Sequence, residues 1–400
     1  MPRHVNNPVY SAPIDVSYQN ALNLYNHEQL SEQQLERALK KRGTNYDELV
    51  ANHRNQKQFE MGVACSLEAM GCEVQMATRL SYNNDLLNWC DVVMPCGGDG
   101  TFLLAASRVR DCNKPVIGFN SAPHRSVGRL CLPTWCSRDV PGAVAALREG
   151  RFRWMRRTRI RTTIRCCSQI EDSIAPLDLH TLQFSRYPAV SNEDFRFQPR
   201  VVCAEQNGSS QETATTMKVL PVLALNEVFL GESVTSRVSQ MQLQINNSGK
   251  WNHTKSSGVC VTTGTGSTSW HFSINCLRTH SVLELMRILQ GEFGVTLDTS
   301  LEKAREVAER YNQRLMFPPD SMQLAYSVRE YITFEEWPTP RGLRVRDSAS
   351  SIRVRSHCVD AGLVIDGGIS YPFNDGTEAL LEVHPEDSLM TVHMDDQLHH

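Results

Sequence analysis

The chain predicts an α/β N-terminal domain followed by a mainly β C-terminal domain. Three observations carry that expectation. The apolar run Asp91–Pro95 passes through a glycine-rich turn into helix formers that continue to Arg108, and a second buried-strand run, Pro115–Phe119, follows, which is a βαβ pattern. From Arg156 onward the period changes to two, beginning with Arg157-Thr-Arg-Ile-Arg-Thr-Thr-Ile-Arg165. At 400 residues and 40% hydrophobic content the chain is long enough to bury two cores.

Residues 1–29 read as an irregular N-terminus: Asn6 to Asn26 is polar, prolines stand at 8 and 13, and the first strand expected of such a domain is not recognisable there. The α/β domain is assigned to 30–135. It opens with an amphipathic helix over Ser31–Lys40, with leucines at 30, 35 and 39, and a second helix from about Tyr46 to Met70 that stops at Gly71. Glu73–Thr78 alternates like a strand. The β-rich domain is assigned to 136–375, with further strand-like runs at Val219–Leu230, Gln240–Asn246, Gly258–Thr262, Ser351–Ser356 and Gly362–Ile365. Two insertions interrupt it. Residues 169–217 are polar and weakly periodic and read as a flexible surface insertion, whereas 280–315 has helical spacing and a stop at Phe317-Pro-Pro-Asp. Residues 376–400 read as a C-terminal tail.

The net charge of −3 gives no global reason to expect nucleic acid or an anionic membrane as partner, and no apolar run is long enough to span a bilayer. The 13 cysteines are scattered and form neither C-x-x-C nor, with histidine and glutamate, a metalloprotease motif, so reduced intracellular thiols are expected. Cys131 and Cys136 have the spacing of half a zinc site, but no second pair follows, and no protein-held metal site is assigned. Met1–Ala12 carries only Arg3 as a fixed positive charge, so no Arg-rich transit segment is visible.

Three constellations carry chemistry. The first is Gly97-Gly98-Asp99-Gly100-Thr101 at the strand-to-helix turn. Glycines permit positive φ and close approach of a ligand, and a helix start offers unpaired N–H donors suited to phosphate. Asp99 is the one charge there, an acid placed to take a proton from an attacking hydroxyl or to hold Mg²⁺. A turn with a purely structural role is the alternative, and neither a P-loop ending nor a G-x-G-x-x-G run is present. The second is Asn226-Glu227 within an apolar strand-like run, where an amide and a carboxyl can bind a ribose and an adenine or, alternatively, cap a strand end. The third is Thr262–Trp270, with six hydroxyls and two glycines in nine residues and an aromatic able to cover a flat ring; the alternative is a Gly/Thr/Ser linker. The arginines at 157, 159, 161 and 165 could face phosphate, although a solvated strand face fits this composition better.

In their order, Gly-Gly-Asp-Gly-Thr, then Asn-Glu, then the Thr-Gly-Ser-Thr loop, these motifs resemble the NAD kinase family. Several longer runs are similar to its mitochondrial branch: Phe119–Pro133, Ala224–Arg237, Lys255–Gly258 and Val364–Gly376. The resemblance spans roughly Leu30 to Val392. It implies a two-domain fold with a site in the interdomain cleft, chain ends that return to the first domain, and transfer of the ATP γ-phosphoryl group to the 2′-hydroxyl of the adenosine ribose of NAD. By that carry-over Asp99 is the general base, and Gly97, Gly98, Gly100, Thr101 and Asn120 belong to the nucleotide site. Asn226 and Glu227 hold the adenosine portion of NAD, while Thr265, Thr268, Ser269, Trp270 and Ser273 line the dinucleotide pocket. Mg²⁺ or another divalent cation would neutralise the triphosphate. The same resemblance implies a homodimer, with the 280–315 helices as a candidate surface, and a mitochondrial location, with the cytoplasm as the alternative where no transit segment is visible.

The chain departs from the family pattern in places. Ser257 stands where most members have aspartate, Trp270 where most have tyrosine, and Ala122 and His124 where the mitochondrial branch tends to carry acids. The altered loop and N-terminus keep a second reading open, a catalytically impaired NAD-binding or dimerising subunit. A lipid kinase sharing the Gly-Gly-Asp-Gly-Thr motif is a third.

Overall fold

A computed structural model of the chain describes residues 8–11, 31–79, 81–167, 176–179, 200–202, 215–332 and 343–395. They divide into two units, one built from residues 1–156, 178–197 and 389–400 and the other from 157–177 and 198–388.

The first unit is a parallel α/β layer. Its elements are β1 (Pro8–Ser11), α1 (Glu32–Lys41), α2 (Tyr46–Ala69), β2 (Gln75–Ala77), α3 (Asn84–Trp89), β3 (Val92–Pro95), α4 (Asp99–Arg108), α5 (Thr134–Arg138), α6 (Val140–Arg148) and β4 (Arg153–Arg157). Helix starts follow the side-chain chemistry: Ser31 and Gln34 form a reciprocal capping box on α1, and Asn45 accepts from the Glu48 N–H on α2. β1 lies between β2 and β3 and is parallel to both. This corrects the expectation of an irregular, strandless N-terminus. Pro8 occupies the first strand position, where proline is tolerated, and the backbone ladder forms despite the absence of an apolar signature.

Pro115–Phe119 runs parallel alongside β3 through bridges at Val93–Val116 and Cys96–Phe119, and a bridge from Pro115 to Met390 brings in the strand Leu389–His393, which pairs with β4. Residues 376–400 are therefore not a plain tail, since this strand and another at 378–383 lie within them. The core of the unit gathers Val63, Leu67, Val92, Met94, Phe119, Trp135, Ala143 and Val392. Trp135 and Ala143 come from α5 and α6, so these helices belong to the first unit, and the division falls at 156/157 rather than at 135/136. Along a sequence, a helix pair between two domains gives no sign of which core it will join.

The second unit holds two seven-stranded sheets. One has the order β11-β10-β15-β18-β5-β8-β7 and the other β14-β13-β12-β9-β16-β17-β6. The strands are β5 (Ile160–Cys167), β6 (Leu177–Asp178), β7 (Arg200–Val202), β8 (Thr215–Val219), β9 (Glu227–Glu232), β10 (Ser239–Ile245), β11 (Asn252–Ser256), β12 (Gly258–Thr262), β13 (Leu324–Arg329), β14 (Arg346–Ala349), β15 (Ser351–Ser356), β16 (Ala361–Ile365), β17 (Ile369–Pro372) and β18 (Glu378–Val383). Alternate positions are buried along β16 and β18, as period-two sequence requires. Of the 169–217 stretch read as a flexible insertion, the described residues are 176–179, 200–202 and 215–217, most of them strand residues of β6, β7 and β8; the remainder lies outside the described residues. Helices α7 (Trp270–Asn275), α8 (Thr279–Phe293) and α9 (Leu301–Gln313) follow β12. α8 and α9 share a small core of Val282, Leu283, Met286, Ala304 and Ala308.

The strand-like run Val219–Leu230 is two strands, not one. β8 stops at Val219 and β9 starts at Glu227, so Asn226-Glu227 stands at a strand start rather than in mid-strand.

Candidate functional site

In the first unit the glycine-rich turn joins β3 to α4. The Gly97 N–H donates to the Phe119 carbonyl at 2.8 Å and is consumed by the sheet. The amides of Gly98, Asp99 and Gly100 precede the first bond of the helix, Thr101 N–H to Gly98 O at 3.0 Å, and are the donors a helix start leaves for an anion. The glycines do not serve positive φ, contrary to the sequence expectation. Gly98 has φ of −86°, and the left-handed glycines lie elsewhere. Their service is the missing Cβ. A Cβ on Gly98 would sit 3.0 Å from the Ser126 hydroxyl, and at Gly100 it would point into open space.

Asp99 is the first residue of α4, where the helix dipole favours a negative side chain. Its two oxygens are held separately: Oδ1 accepts from the Leu130 N–H at 2.8 Å and Oδ2 from the Arg129 N–H at 3.2 Å. The 120–130 loop that supplies these amides is organised by Asn120, which is buried. Asn120 Nδ2 donates to the Ser126 carbonyl at 2.9 Å and Oδ1 accepts from the Ala122 N–H at 3.1 Å. Gly128, at φ of 62°, leaves room for the Asn120 amide that any side chain would fill. Asn120 thus shapes the loop that aims Asp99, while both ends of its amide are bonded within that loop.

In the second unit the polar pair and the hydroxyl loop form one structure. The Thr263 N–H and the Thr262 hydroxyl both donate to the Asn226 carbonyl, at 3.0 and 2.9 Å, and the Thr263 hydroxyl donates to the Leu225 carbonyl at 2.5 Å. A Cβ on Gly266 would collide with the Asn226 carbonyl, and one on Gly264 with the Pro318 carbonyl. Ser267 is fully buried, donating to the Gly264 carbonyl and accepting from the Phe317 N–H. The hydroxyls of Thr262, Thr263 and Ser267 therefore hold the loop together. Of the residues anticipated from the sequence, Thr265 accepts from Arg157 Nη1 at 3.3 Å, Thr268 donates to the Thr265 carbonyl, Ser273 donates to the Ser269 carbonyl, and the Ser269 hydroxyl meets Asn226 Nδ2 at 3.4 Å. Trp270 stacks on Phe229 with ring centroids 4.4 Å apart and planes 28° from parallel. The Phe229 ring in turn lies where a Cβ on Gly231 or Gly258 would be.

Asn226 and Glu227 are both buried, and Asn226 Oδ1 and Glu227 Oε2 have no hydrogen-bond partner among the described residues. Burial, and then the nearby Asp366 carboxylate, push the Glu227 carboxyl up to about 8. Sequence reading missed two residues here. Arg157 was weighed only as part of a surface stripe, yet it reaches Thr265; Arg159 is buried, and Arg161 pairs with Asp387 and Glu386, so no continuous arginine face forms. Asp366 lies inside the Val364–Gly376 run, but nothing local marks its long-range role. Its Oδ2 accepts from the Leu225 N–H at 2.7 Å, and its Oδ1 from Asn226 at 2.8 Å and Glu227 at 3.0 Å.

Residues 23–125 match the model of the ATP-NAD kinase N-terminal domain. The chain is 37% identical over 368 residues to NAD kinase 2, mitochondrial, of Rattus norvegicus, covering 92% of this chain and 83% of that protein. It is 36% identical to the Homo sapiens protein of the same name, covering 92% and 80%. Superposition on an NAD kinase from Archaeoglobus fulgidus in complex with ATP gives a TM-score of 0.49 at 14% identity, covering 98% of this chain and 94% of that one. The similarity to the two mammalian proteins runs through both units and through all three motif regions, and on that extent the chain belongs to the NAD kinase family.

Proposed function

We propose that the protein transfers the γ-phosphoryl group of ATP to the 2′-hydroxyl of the adenosine ribose of NAD, giving NADP. The observation that carries this reading is the buried Asn226–Glu227 pair, whose Oδ1 and Oε2 have no partner among the described residues. Buried polar atoms are normally bonded, so two on adjacent residues at one strand start call for a polar ligand. With its carboxyl pushed up to about 8, Glu227 is protonated at neutral pH and can both donate to and accept from a sugar hydroxyl or a base edge. Thr265, Thr268, Ser269 and Ser273 add neutral donors and acceptors, and the Trp270–Phe229 stack offers an aromatic wall for a flat ring.

Asp99 is the base. The Arg129 and Leu130 amides fix the direction of both its oxygens while each retains a lone pair for the acceptor hydroxyl's proton. The amides of Gly98, Asp99 and Gly100 are placed to meet phosphate oxygens, and the exposed Arg125 and Arg129 would supply the positive charge that a P-loop lysine gives elsewhere. Among the described residues no group of three His, Cys, Asp or Glu side chains could hold a metal ion. A divalent cation carried by the triphosphate would screen the phosphate charges, leaving Asp99 to take the acceptor hydroxyl's proton. The protein is further proposed to be mitochondrial, in line with the compartment in its mammalian relatives' names, and homodimeric through the outer face of α8 and α9, where Leu285, Ile288, Leu289, Phe293 and Leu301 are exposed. Sedimentation of the purified protein at twice the protomer mass is the expected result for the latter.

The impaired-subunit reading loses one of its two supports, because β1 is present in the centre of its sheet; the changes at Ala122 and His124 are the other. The deciding experiment gives purified protein ATP, Mg²⁺ and NAD and measures NADP. Formation of NADP is expected, and NAD binding without NADP formation overturns the kinase reading.

A further inference from the structure

The geometry points to Asp366 as a positioning residue for the acceptor nucleotide, an inference that rests on the proposed function and assigns a device to its nucleoside side. The hairpin of β16 and β17 pairs Ile365 with Ile369, and Asp366 opens its connection. There Asp366 has φ of 48° and Gly367 φ of 66°, a left-handed pair that aspartate tolerates better than most residues. Because β16 also pairs with β9, with Ile365 opposite Val228, the residue after Ile365 arrives beside Glu227. The Asp366 N–H donates to the Glu227 carbonyl at 3.0 Å, and the side chain turns back to receive three successive N–H groups, those of Leu225, Asn226 and Glu227.

Three consecutive amides converging on one carboxylate fix the backbone of those residues as a unit. This segment has no ladder of its own, since β9 begins only at Glu227, so without Asp366 the amides of Leu225 and Asn226 would be buried and unmet. The segment it fixes is the one bearing the two partnerless side-chain oxygens. The three amides, and more weakly the buried Arg159, favour the charged form of Asp366 against its burial, while burial and then Asp366 push the neighbouring Glu227 carboxyl up. A carboxylate serving only the fold would be satisfied by any amides; this one is spent on the residues that face the ligand.

The test is a double-mutant cycle of Asp366→Asn with Asn226→Ala, read as steady-state KM and kcat for NAD and ATP and as calorimetric Kd for NAD. Asparagine keeps the size and the left-handed backbone but offers one acceptor oxygen in place of two. Losing that acceptor should raise the KM and Kd for NAD about tenfold while leaving the KM for ATP unchanged. In the Asn226→Ala background the same change should cost no more than about twofold, because the pair being positioned is already incomplete. Unchanged NAD affinity in folded Asp366→Asn, or effects that simply multiply, overturns the inference. Asp366→Ser is read the same way if Asp366→Asn does not fold, and failure of both to fold assigns Asp366 to the fold alone and overturns it. Absence of NADP with the unsubstituted protein overturns the kinase reading instead, and the Kd arm then still decides this one.

Discussion

The glycine-rich turn and the Asn226–Glu227 segment handle a carboxyl group in opposite ways. Asp99 stands half-exposed at a helix start, each oxygen bonded to a loop amide. Glu227 is 8% exposed at a strand start, beside the half-buried Asp366, with one oxygen unmet among the described residues. The first environment aims a carboxylate by bonding each of its oxygens to a backbone amide; the second drives a carboxyl towards neutrality by burial. Solvation and backbone amides thus give one side-chain chemistry two different environments, which the proposed function would use for two different tasks.

The strongest way to break that comparison is at Asp99. Asp99→Asn keeps the shape of the turn and removes the proton acceptor, so kcat should fall by about a thousandfold while NAD affinity is retained. A small loss of kcat would mean that Asp99 only orders the turn. The next effect lies in the opposite region. Gly264→Ala places a methyl group against the Pro318 carbonyl, which cannot move without disturbing the bonds of Ser267, and should lower unfolding stability by about 3 kcal/mol in chemical denaturation. Gly100→Ala, which meets open space at the other turn, should leave stability nearly unchanged.

The contrast in ionisation has its own pH signature. Glu227 is protonated in the folded chain up to about 8, against 4.5 for an ordinary glutamate in the unfolded chain, so the unfolded state binds fewer protons across that interval and stability falls as pH rises through it. Asp366, pushed up to about 6 by burial and eased down by its three amide bonds, behaves likewise from 3.8 to 6. Between pH 6 and 8 only Glu227 of the two contributes, and Glu227→Gln should remove a decline of about 2 kcal/mol over that window. Parallel pH profiles for the two proteins would place Glu227 in water rather than in the protein.

How legible each region was follows from the range of the interactions. The turn at Gly97–Thr101 and the loop at Thr262–Trp270 are dense in glycine and hydroxyls within a few residues, so their location could be read directly. What the hydroxyls do could not: Thr263 and Ser267 are spent on carbonyls that the fold brings in from Leu225 and Gly264. Asp366 was illegible because its amide partners lie up to 141 residues earlier. β1 was missed because a strand flanked by two partners draws its stability from a backbone ladder, to which polar composition is blind. Of the two reasons the sequence offered for the glycines of the turn, left-handed backbone is not used, and room for close approach without a Cβ is the one that remains.

The smallest expected effect tests whether the second region is as pre-formed as the first. The Phe229–Trp270 stack has a ring separation of 4.4 Å, and Phe229 is seated over two glycines that leave no room for a side chain. Phe229→Leu retains an apolar contact but loses ring stacking, which is worth about 1 kcal/mol. If the stack holds Trp270 in the posture that meets a flat ring, the KM for NAD should rise about fivefold with kcat and the KM for ATP unchanged, since about 1 kcal/mol would then be withdrawn from binding alone. If the stack only stabilises the unit, the same 1 kcal/mol appears in unfolding and the KM for NAD does not move. Comparing the two readouts on one variant separates a wall that a ligand uses from a wall that the fold uses. In the first unit the geometry alone draws a like distinction, since Asn120 has both ends of its amide bonded within its own loop whereas each Asp99 oxygen accepts one backbone N–H and retains lone pairs.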